Sequence, residues 1–465
     1  MSTTEATTPA PPASHRGGRW IEHWEPEDPE FWEKTGKRVA TRNLWFSIFT
    51  EHIGFSIWVM WSVLVLFMGP KYGLSPSDKF LLVALPNLVG SLLRLPYTFA
   101  VAKFGGRNWT IISAGMLLVP SIAAAIILQP GVSFTTLLIV ATLAGFGGGN
   151  FASSMTNINT FYPERMKGVA LGLNAGGGNI GVAVVQLVGL LIIALAGTAA
   201  PRLLLGIYIP LIVVAVLCAV LFMNNLSTVR NDTGAAKEAI KDRQLWIMSF
   251  LYIGTFGSFI GYSFAFGLVL QNQFHRSPLQ AAAVTFIGPL LGSLIRPVGG
   301  WLSDRINGST VTFWNFLAMA AASVLIILAA GDKSLPLFTI GFIALFVLTG
   351  IGNGSTYKMI PSIFRAKANM AIAEGEDRDA ALARARRIAG ATIGIVSAIG
   401  ALGGFFINLA FRQSFQTTGS GVVAFYSFLA YYAICAAVTW VVYVRRVEEV
   451  AATANNPRRL VLEGV

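Results

Sequence analysis

The chain has 465 residues, 54% of them hydrophobic and only 12% charged, with a mean hydropathy of +0.63. Soluble domains carry about 25% charged residues, so this much apolar surface excludes a water-soluble globular protein and indicates an integral membrane protein. The formal charge of +12 does not call for a nucleic-acid partner, because the basic residues fall between apolar spans. Cys218 and Cys435 lie far apart inside apolar runs, which fits small core residues better than a disulfide or a metal site.

In chain order, a Ser/Thr/Pro/Ala-rich stretch to about Ser14 is expected to be disordered, with no secretory signal ahead of the first span. The polar segment Trp24-Glu25-Pro26-Glu27-Asp28-Pro29, followed by Phe31-Trp32, is expected to dock on the membrane face. A spanning helix needs about 20 mostly apolar residues. Twelve such stretches follow, near 43–68, 80–102, 108–128, 134–160, 168–196, 204–224, 245–270, 281–302, 310–330, 336–362, 389–411 and 423–444. Runs this long satisfy their backbone polar groups in lipid as helices. The expected fold class is an all-α membrane protein of twelve transmembrane helices.

Charge sets the orientation. With both termini and the even-numbered loops placed in the cytoplasm, that side holds 25 Lys and Arg residues and the opposite side 6; Arg94, Arg296 and Lys358, inside spans, complete the 34. Such asymmetry predicts both ends inside. The long polar interruption at about 225–243 divides the chain into a segment 1–42, a six-helix half 43–224, a linker 225–244, a second half 245–444 and a tail 445–465. An internal repeat supports the division. Gly90-Ser91-Leu92-Leu93-Arg94 recurs as Gly292-Ser293-Leu294-Ile295-Arg296, each preceded by a proline, Pro86 and Pro289. Two halves related by a repeat, with a site between them, is transporter architecture.

The repeat places an arginine at equivalent depth in spans 2 and 8. An arginine at a helix centre costs about 2.5–3.5 kcal/mol on insertion scales. Fourteen apolar-helix positions precede Arg94 and eight follow, so snorkelling is awkward, and no acid lies within four positions of either arginine. Each arginine either pairs with a carboxylate or carbonyl elsewhere in the bundle, or both share an anionic ligand across a central pathway. The guanidinium fork suits a flat oxyanion, engaging two oxygens at once. Two such groups around one monoanion leave surplus positive charge, which predicts a loose occupied state or a nearby acid.

Small residues gather in spans 4, 5, 10 and 11, among them Gly176, Gly178, Gly394 and Gly400; they permit close packing and are expected at surfaces that slide. The run Gly299-Gly300-Trp301-Leu302-Ser303-Asp304-Arg305, with Gly308, falls in the expected loop between spans 8 and 9. Its Gly300, Asp304 and Arg305 resemble the conserved loop motif of the major facilitator superfamily. The first-half equivalent, Lys103-Phe104-Gly105-Gly106-Arg107, lacks the aspartate.

More specific stretches resemble the nitrate/nitrite porter (NarK-type) family of that superfamily. They are Trp24 to Pro29, Arg42-Asn43-Leu44-Trp45, Asn150 to Met155 with Phe161-Tyr162-Pro163, and two signatures: Leu171-Gly172-Leu173-Asn174-Ala175-Gly176-Gly177-Gly178-Asn179 and Gly394-Ile395-Val396-Ser397-Ala398-Ile399-Gly400. Ala175 stands where a glycine is common. The resemblance implies a major facilitator fold of two six-helix halves, carrying nitrate and nitrite for nitrate assimilation through the cell membrane. It implies Arg94 and Arg296 as substrate arginines, Asn179 and Ser397 as further ligands, Tyr252 as a hydroxyl donor, and Phe55, Phe151 and Phe256 as walls. No cofactor is expected; the sequence does not reveal the oligomeric state, and a monomer is the expectation.

Driving one anion inward against an inside-negative 100 mV costs about 2.3 kcal/mol, so uptake needs an accompanying proton or an anion leaving in exchange. Glu51 and His52, placed in the first turns of span 1, and Lys358 in span 10 are the candidate proton-coupling groups. Exchange-type members of the family typically lack such groups, which favours nitrate/proton symport over nitrate/nitrite antiport. Against that reading, Glu51 and His52 would sit at the membrane surface with Lys358 paired to them. A non-transporting anion sensor would need a signalling domain, which this sequence does not display. An enzyme would need a catalytic constellation or metal cluster, and neither spacing is present. A proton-coupled sugar or drug porter would favour carboxylates and amides over matched arginines.

Overall fold

The computed structural model describes residues 19–445. The expected disorder up to about Ser14, and all of the tail beyond Arg445, lie outside the described residues.

Twelve helices in the described residues are long and apolar enough to cross a bilayer. Spans 1 to 6 are Pro29–Phe67, Pro76–Phe104, Gly106–Ile127, Phe134–Phe161, Glu164–Ala196 and Arg202–Phe222; spans 7 to 12 are Arg243–Phe274, Pro278–Ile306, Gly308–Gly331, Leu335–Ala373, Arg378–Thr418 and Val422–Val444. Several starts carry local signals. Ser75 and Ser277 form capping boxes with Asp78 and Gln280, each with a proline at the first helical position. Asp242 and Asp377 cap spans 7 and 11 through their side chains.

Hydropathy locates every span but misses where some helices end. Span 1 starts at Pro29 rather than near 43, span 10 runs on to Ala373, and span 11 starts at Arg378. These extensions are polar helix, which continues by capping and local hydrogen bonding after the apolar run has ended. Twelve crossings bring the chain back to the face it left, here called the terminal face. On it, β1 (Trp20–Ile21) pairs in parallel with β2 (Asn225–Leu226). Trp24 packs edge-on against Phe31 and Phe161, both at 5.3 Å. The segment expected to dock on the membrane thus docks on the protein's own helix ends.

The five-residue repeat has a packing counterpart. A Cβ on Gly90 would lie 2.3 Å from the Trp58 indole nitrogen in span 1 and 3.0 Å from Gly148 in span 4. One on Gly292 would lie 2.9 Å from Phe259 in span 7 and 2.8 Å from the Phe346 carbonyl in span 10. Span 2 therefore meets spans 1 and 4 as span 8 meets spans 7 and 10. The repeat encodes this close approach as well as the arginine four residues on.

The motif expected in the loop between spans 8 and 9 is helical instead. Gly299 to Arg305 belongs to the last turns of span 8, which ends at Ile306. The reversal falls on Asn307, held at φ 84° with its side chain capping Ser309. Of the four glycines expected to serve close packing, two do so. A Cβ on Gly178 would strike the Glu51 carboxylate and one on Gly400 the Tyr252 ring, whereas Gly176 and Gly394 face open space.

Overpacking a helix contact costs about 1–3 kcal/mol. A Cβ at Gly147 would lie 2.1 Å from the Gly54 carbonyl oxygen, whereas one at Gly115 would meet nothing within 4 Å. Gly147→Ala is expected to lower thermal stability in detergent by that amount and Gly115→Ala to leave it equal or higher; equal melting curves would refute the packing assignment.

Candidate functional site

Span 2 carries Arg94 into the middle of the bundle, where it is 0% exposed. Its Nη1 donates to the Ser397 hydroxyl at 2.7 Å and the Ser397 carbonyl at 3.1 Å, both on span 11. Among the described residues its Nε and Nη2 have no partner. The guanidinium lies 4.6 Å from the Phe151 ring centre, 4.9 Å from Phe256 and 5.4 Å from Trp58, so aromatic faces supply part of the solvation that water has lost. Trp58 is fixed by its own indole N–H, which donates to the Pro86 carbonyl at 2.8 Å. Phe55 packs edge-on against both Trp58 and Phe151.

Arg296, on span 8, is 9% exposed. Its Nη2 donates to the Tyr252 hydroxyl at 3.4 Å, its Nη1 has no partner, and its guanidinium lies 5.5 Å from the Tyr357 ring centre. Tyr252 stacks on Phe256 at 5.3 Å with 9° between the planes. An aromatic column, Phe151–Phe256–Tyr252, therefore links the surroundings of the two arginines. Phe256 lies in a five-residue π-helical turn, Ile253–Gly257, that begins immediately after Tyr252. Wide turns of this kind are frequent at functional sites. The arginines are within electrostatic range of each other. Among the described residues neither makes an ion pair, so the carboxylate form of the pairing alternative is not seen, while Arg94 meets its carbonyl form in part through Ser397.

Glu51 is 1% exposed and lies well inside span 1, because that helix begins at Pro29. This corrects its placement in the first turns of the span. Its Oε2 accepts from Ser154 at 2.5 Å and from Asn174 at 2.7 Å, while Oε1 has no partner and packs on Gly178. Both arginines lie within electrostatic range of its carboxylate. His52 points elsewhere: its Nδ1 lies 3.2 Å from the Gly177 carbonyl. A carbonyl only accepts, so Nδ1 carries the hydrogen. Asn179 on span 5 is buried with both amide atoms unpartnered.

Lys358 does not join this group. It pairs with Asp304 at 2.8 Å, and the two side chains are 47% and 57% exposed. The superfamily-like motif thus ties span 8 to span 10, with Arg305 stacked on Trp301 at 4.6 Å. A Cβ on Gly354 would lie 2.6 Å from the Gly300 nitrogen, which places Gly300 where the two helices touch.

Sequence reasoning missed Trp58, Ser154, Asn174 and Tyr357. Trp58 had a signal, since Glu51, Phe55 and Trp58 fall at i, i+4 and i+7 on one helix face. Ser154 and Asn174 stand inside quoted motifs, but only the fold brings them to Glu51. Nothing local marks Tyr357.

On the far-face side of the arginines the two halves touch. Phe80 of span 2 stacks on Phe411 and Phe415 of span 11 at 5.5 and 5.3 Å. Gln186 of span 5 donates to the Ser263 carbonyl of span 7 at 2.8 Å. Twelve spans in two halves that meet at a buried charged cluster have the architecture of a secondary transporter with a central site.

Residues 44–407 match the family model of the Major Facilitator Superfamily. A nitrate/nitrite transporter of Salmonella typhimurium, NarU, is 39% identical over 448 residues, covering 92% of this chain and 96% of that protein. A protein of Thermus thermophilus named as a "probable nitrate/nitrite antiporter", NarK2, is 32% identical over 459 residues, covering 92% and 97%. The crystal structure of a D-xylose–proton symporter shares the fold, with a TM-score of 0.64 at 16% identity, over 86% of this chain and 97% of that one. The chain belongs to the Major Facilitator Superfamily, in its nitrate/nitrite porter branch.

Exposed ion pairs couple by about 0.2–1 kcal/mol. A double-mutant cycle on Lys358 and Asp304, read from thermal unfolding in detergent, is expected to fall in that range; a coupling several times larger would mean the pair is not the solvated tie described.

Proposed function

We propose that the protein is a secondary active transporter that carries nitrate, and nitrite with it, across the cell membrane by alternating access, with uptake coupled to protons. The observation that carries this reading is a pair of buried guanidiniums with unpartnered N–H groups, enclosed by aromatic rings. A buried donor without a partner costs about 1–3 kcal/mol, more for a charged group. A flat, singly charged, weakly hydrated oxyanion answers those donors and one unit of the charge. A neutral sugar would leave both charges uncompensated.

Glu51 supplies the coupling. Its carboxylate shares the field of both arginines, so while ionised it competes with the anion for them. A proton on Glu51 removes the competitor and favours anion binding, and the effect is reciprocal. His52, held on Gly177, and Lys358, held on Asp304, are left out of this role. Exchange is the second reading: two unpaired arginines leave the empty site charged, which disfavours reorienting it without an anion, and one relative is named an antiporter.

The charge asymmetry supports a cytoplasmic terminal face, with halves 43–224 and 245–444 joined by 225–244. One chain contains both arginines, so a monomer suffices.

Hydrogen bonds to charged groups contribute about 1.5–3 kcal/mol, and 1.4 kcal/mol is tenfold in affinity. Arg94→Lys and Arg296→Lys keep the charge and lose the fork. Each is expected to weaken nitrate binding at least about tenfold and to abolish uptake in proteoliposomes. Wild-type uptake by either variant would remove the basis of the reading.

Glu51→Gln separates the two coupling modes. It is expected to abolish proton entry driven by nitrate while leaving nitrate/nitrite counterflow in preloaded vesicles. Normal coupled uptake by this variant would exclude Glu51, and exchange indifferent to pH in the wild type would establish antiport.

A further inference from the structure

The ends of spans 10 and 11 on the terminal face enclose a cavity of about 300 Å³, lined by Pro361, Arg365, Leu382, Ala385, Arg386 and Ala389. At about 30 Å³ per water it holds roughly ten waters, enough for a small ion with part of its hydration shell. Its place along the helices is informative. Arg386 precedes Ser397, the partner of Arg94, by eleven residues, about three helical turns and roughly 16 Å. The two therefore share one face of span 11. On span 10, Tyr357, Pro361 and Arg365 recur at i, i+4 and i+8, and Tyr357 flanks Arg296. The cavity thus lies beneath the arginine site, on the helix faces that line it.

Some carboxylates of this face are already engaged by other cations: Asp242 by Lys367 at 2.5 Å, Glu376 by Arg384 at 2.7 Å, and Asp232 and Glu238 by Arg387 at 3.3 and 2.8 Å. Among the described residues Arg365 and Arg386 have neither an ion pair nor a hydrogen bond, and both line the same cavity. Two unpaired positive groups converging on a partly apolar vestibule raise the local concentration of small anions, because low-dielectric walls focus their field.

We propose that Arg365 and Arg386 form a vestibule site for small monovalent oxyanions, which loads and unloads the central site from the terminal face. It rests on the nitrate-transport reading above and adds a second station on that path. The Debye length at physiological salt is about 8 Å, so two exposed guanidiniums some 16 Å away act on the arrival of the anion and little on its central binding.

The test uses full-length protein in proteoliposomes of defined sidedness, with labelled nitrate offered to one face at a time. In the double variant Arg365→Gln/Arg386→Gln, the half-saturating nitrate concentration at the terminal face is expected to rise about three- to tenfold at low ionic strength. The value at the far face, which also reports correct folding, should stay within twofold of wild type. The difference should vanish near 1 M inert salt, where the Debye length is about 3 Å, and Arg365→Lys/Arg386→Lys should keep wild-type values. An unchanged terminal-face value, or one that persists at high salt, would overturn the proposal. So would a defect that appears only with anionic lipid in the vesicles, which would make the occupant a lipid headgroup. Wild-type protein that carries no nitrate would sink the functional reading itself, an outcome separate from these.

Discussion

Two permanently charged side chains held out of water, with no ion pair among the described residues, are the constraint around which this molecule is arranged. Arginine does not escape by losing its proton, so Arg94 and Arg296 must be solvated by protein or by ligand. The structure supplies a partial answer and stops short of a complete one. Aromatic faces surround Arg94, Ser397 accepts two hydrogen bonds from it, and Tyr252 accepts one from Arg296. Three guanidinium nitrogens remain unanswered. A core built for stability alone would have replaced such groups by apolar ones, at little cost. Their retention makes sense as a site whose last partner arrives from outside.

Close helix packing is what allows long aromatic and cationic side chains to converge. Gly90 admits the Trp58 indole, Gly178 admits Glu51, and Gly400 admits the Tyr252 ring. In each case the missing side chain is the space that another residue of the site occupies. The same economy explains the repeat, in which a glycine and an arginine four residues apart are one packing and charge module used twice. The glycines that face open space, Gly176 and Gly394, have no such neighbour, and nothing in the structure explains why they are glycine.

Much of this was legible in advance, and the illegible part has a physical cause. Apolar runs mark twelve spans because lipid imposes length and hydropathy together. The paired arginines stand out because charge is expensive in such runs. Glu51 was visible but misplaced, since the polar helix ahead of Arg42 leaves no trace in hydropathy. Lys358 looked intramembrane in sequence because span 10 continues past the apolar region, where the lysine meets Asp304 in partly exposed surroundings. Ser154 and Asn174 gain their meaning only from Glu51, more than 100 residues away in sequence. Contacts between distant helices carry no local signature, and the site consists largely of such contacts.

The arrangement is also asymmetric in a way that bears on movement. Arg296 and its partners Tyr252 and Tyr357 all belong to the second half, and Glu51, Ser154 and Asn174 all belong to the first. Arg94 reaches across, from span 2 of the first half to Ser397 on span 11 and over Phe256 on span 7 of the second, and Phe151 of span 4 stacks on Phe256 beside it. Any rocking that parts spans 2 and 11 removes two of its hydrogen bonds at once. An anion lying between the arginines offsets that loss, because it follows Arg94 while still engaging Arg296. An empty site offers no such replacement, and Arg94 then holds the halves together. The contact that solvates the charge at rest is thus the one that opposes movement until a substrate takes its place, which ties recognition of the ion to the permission to move.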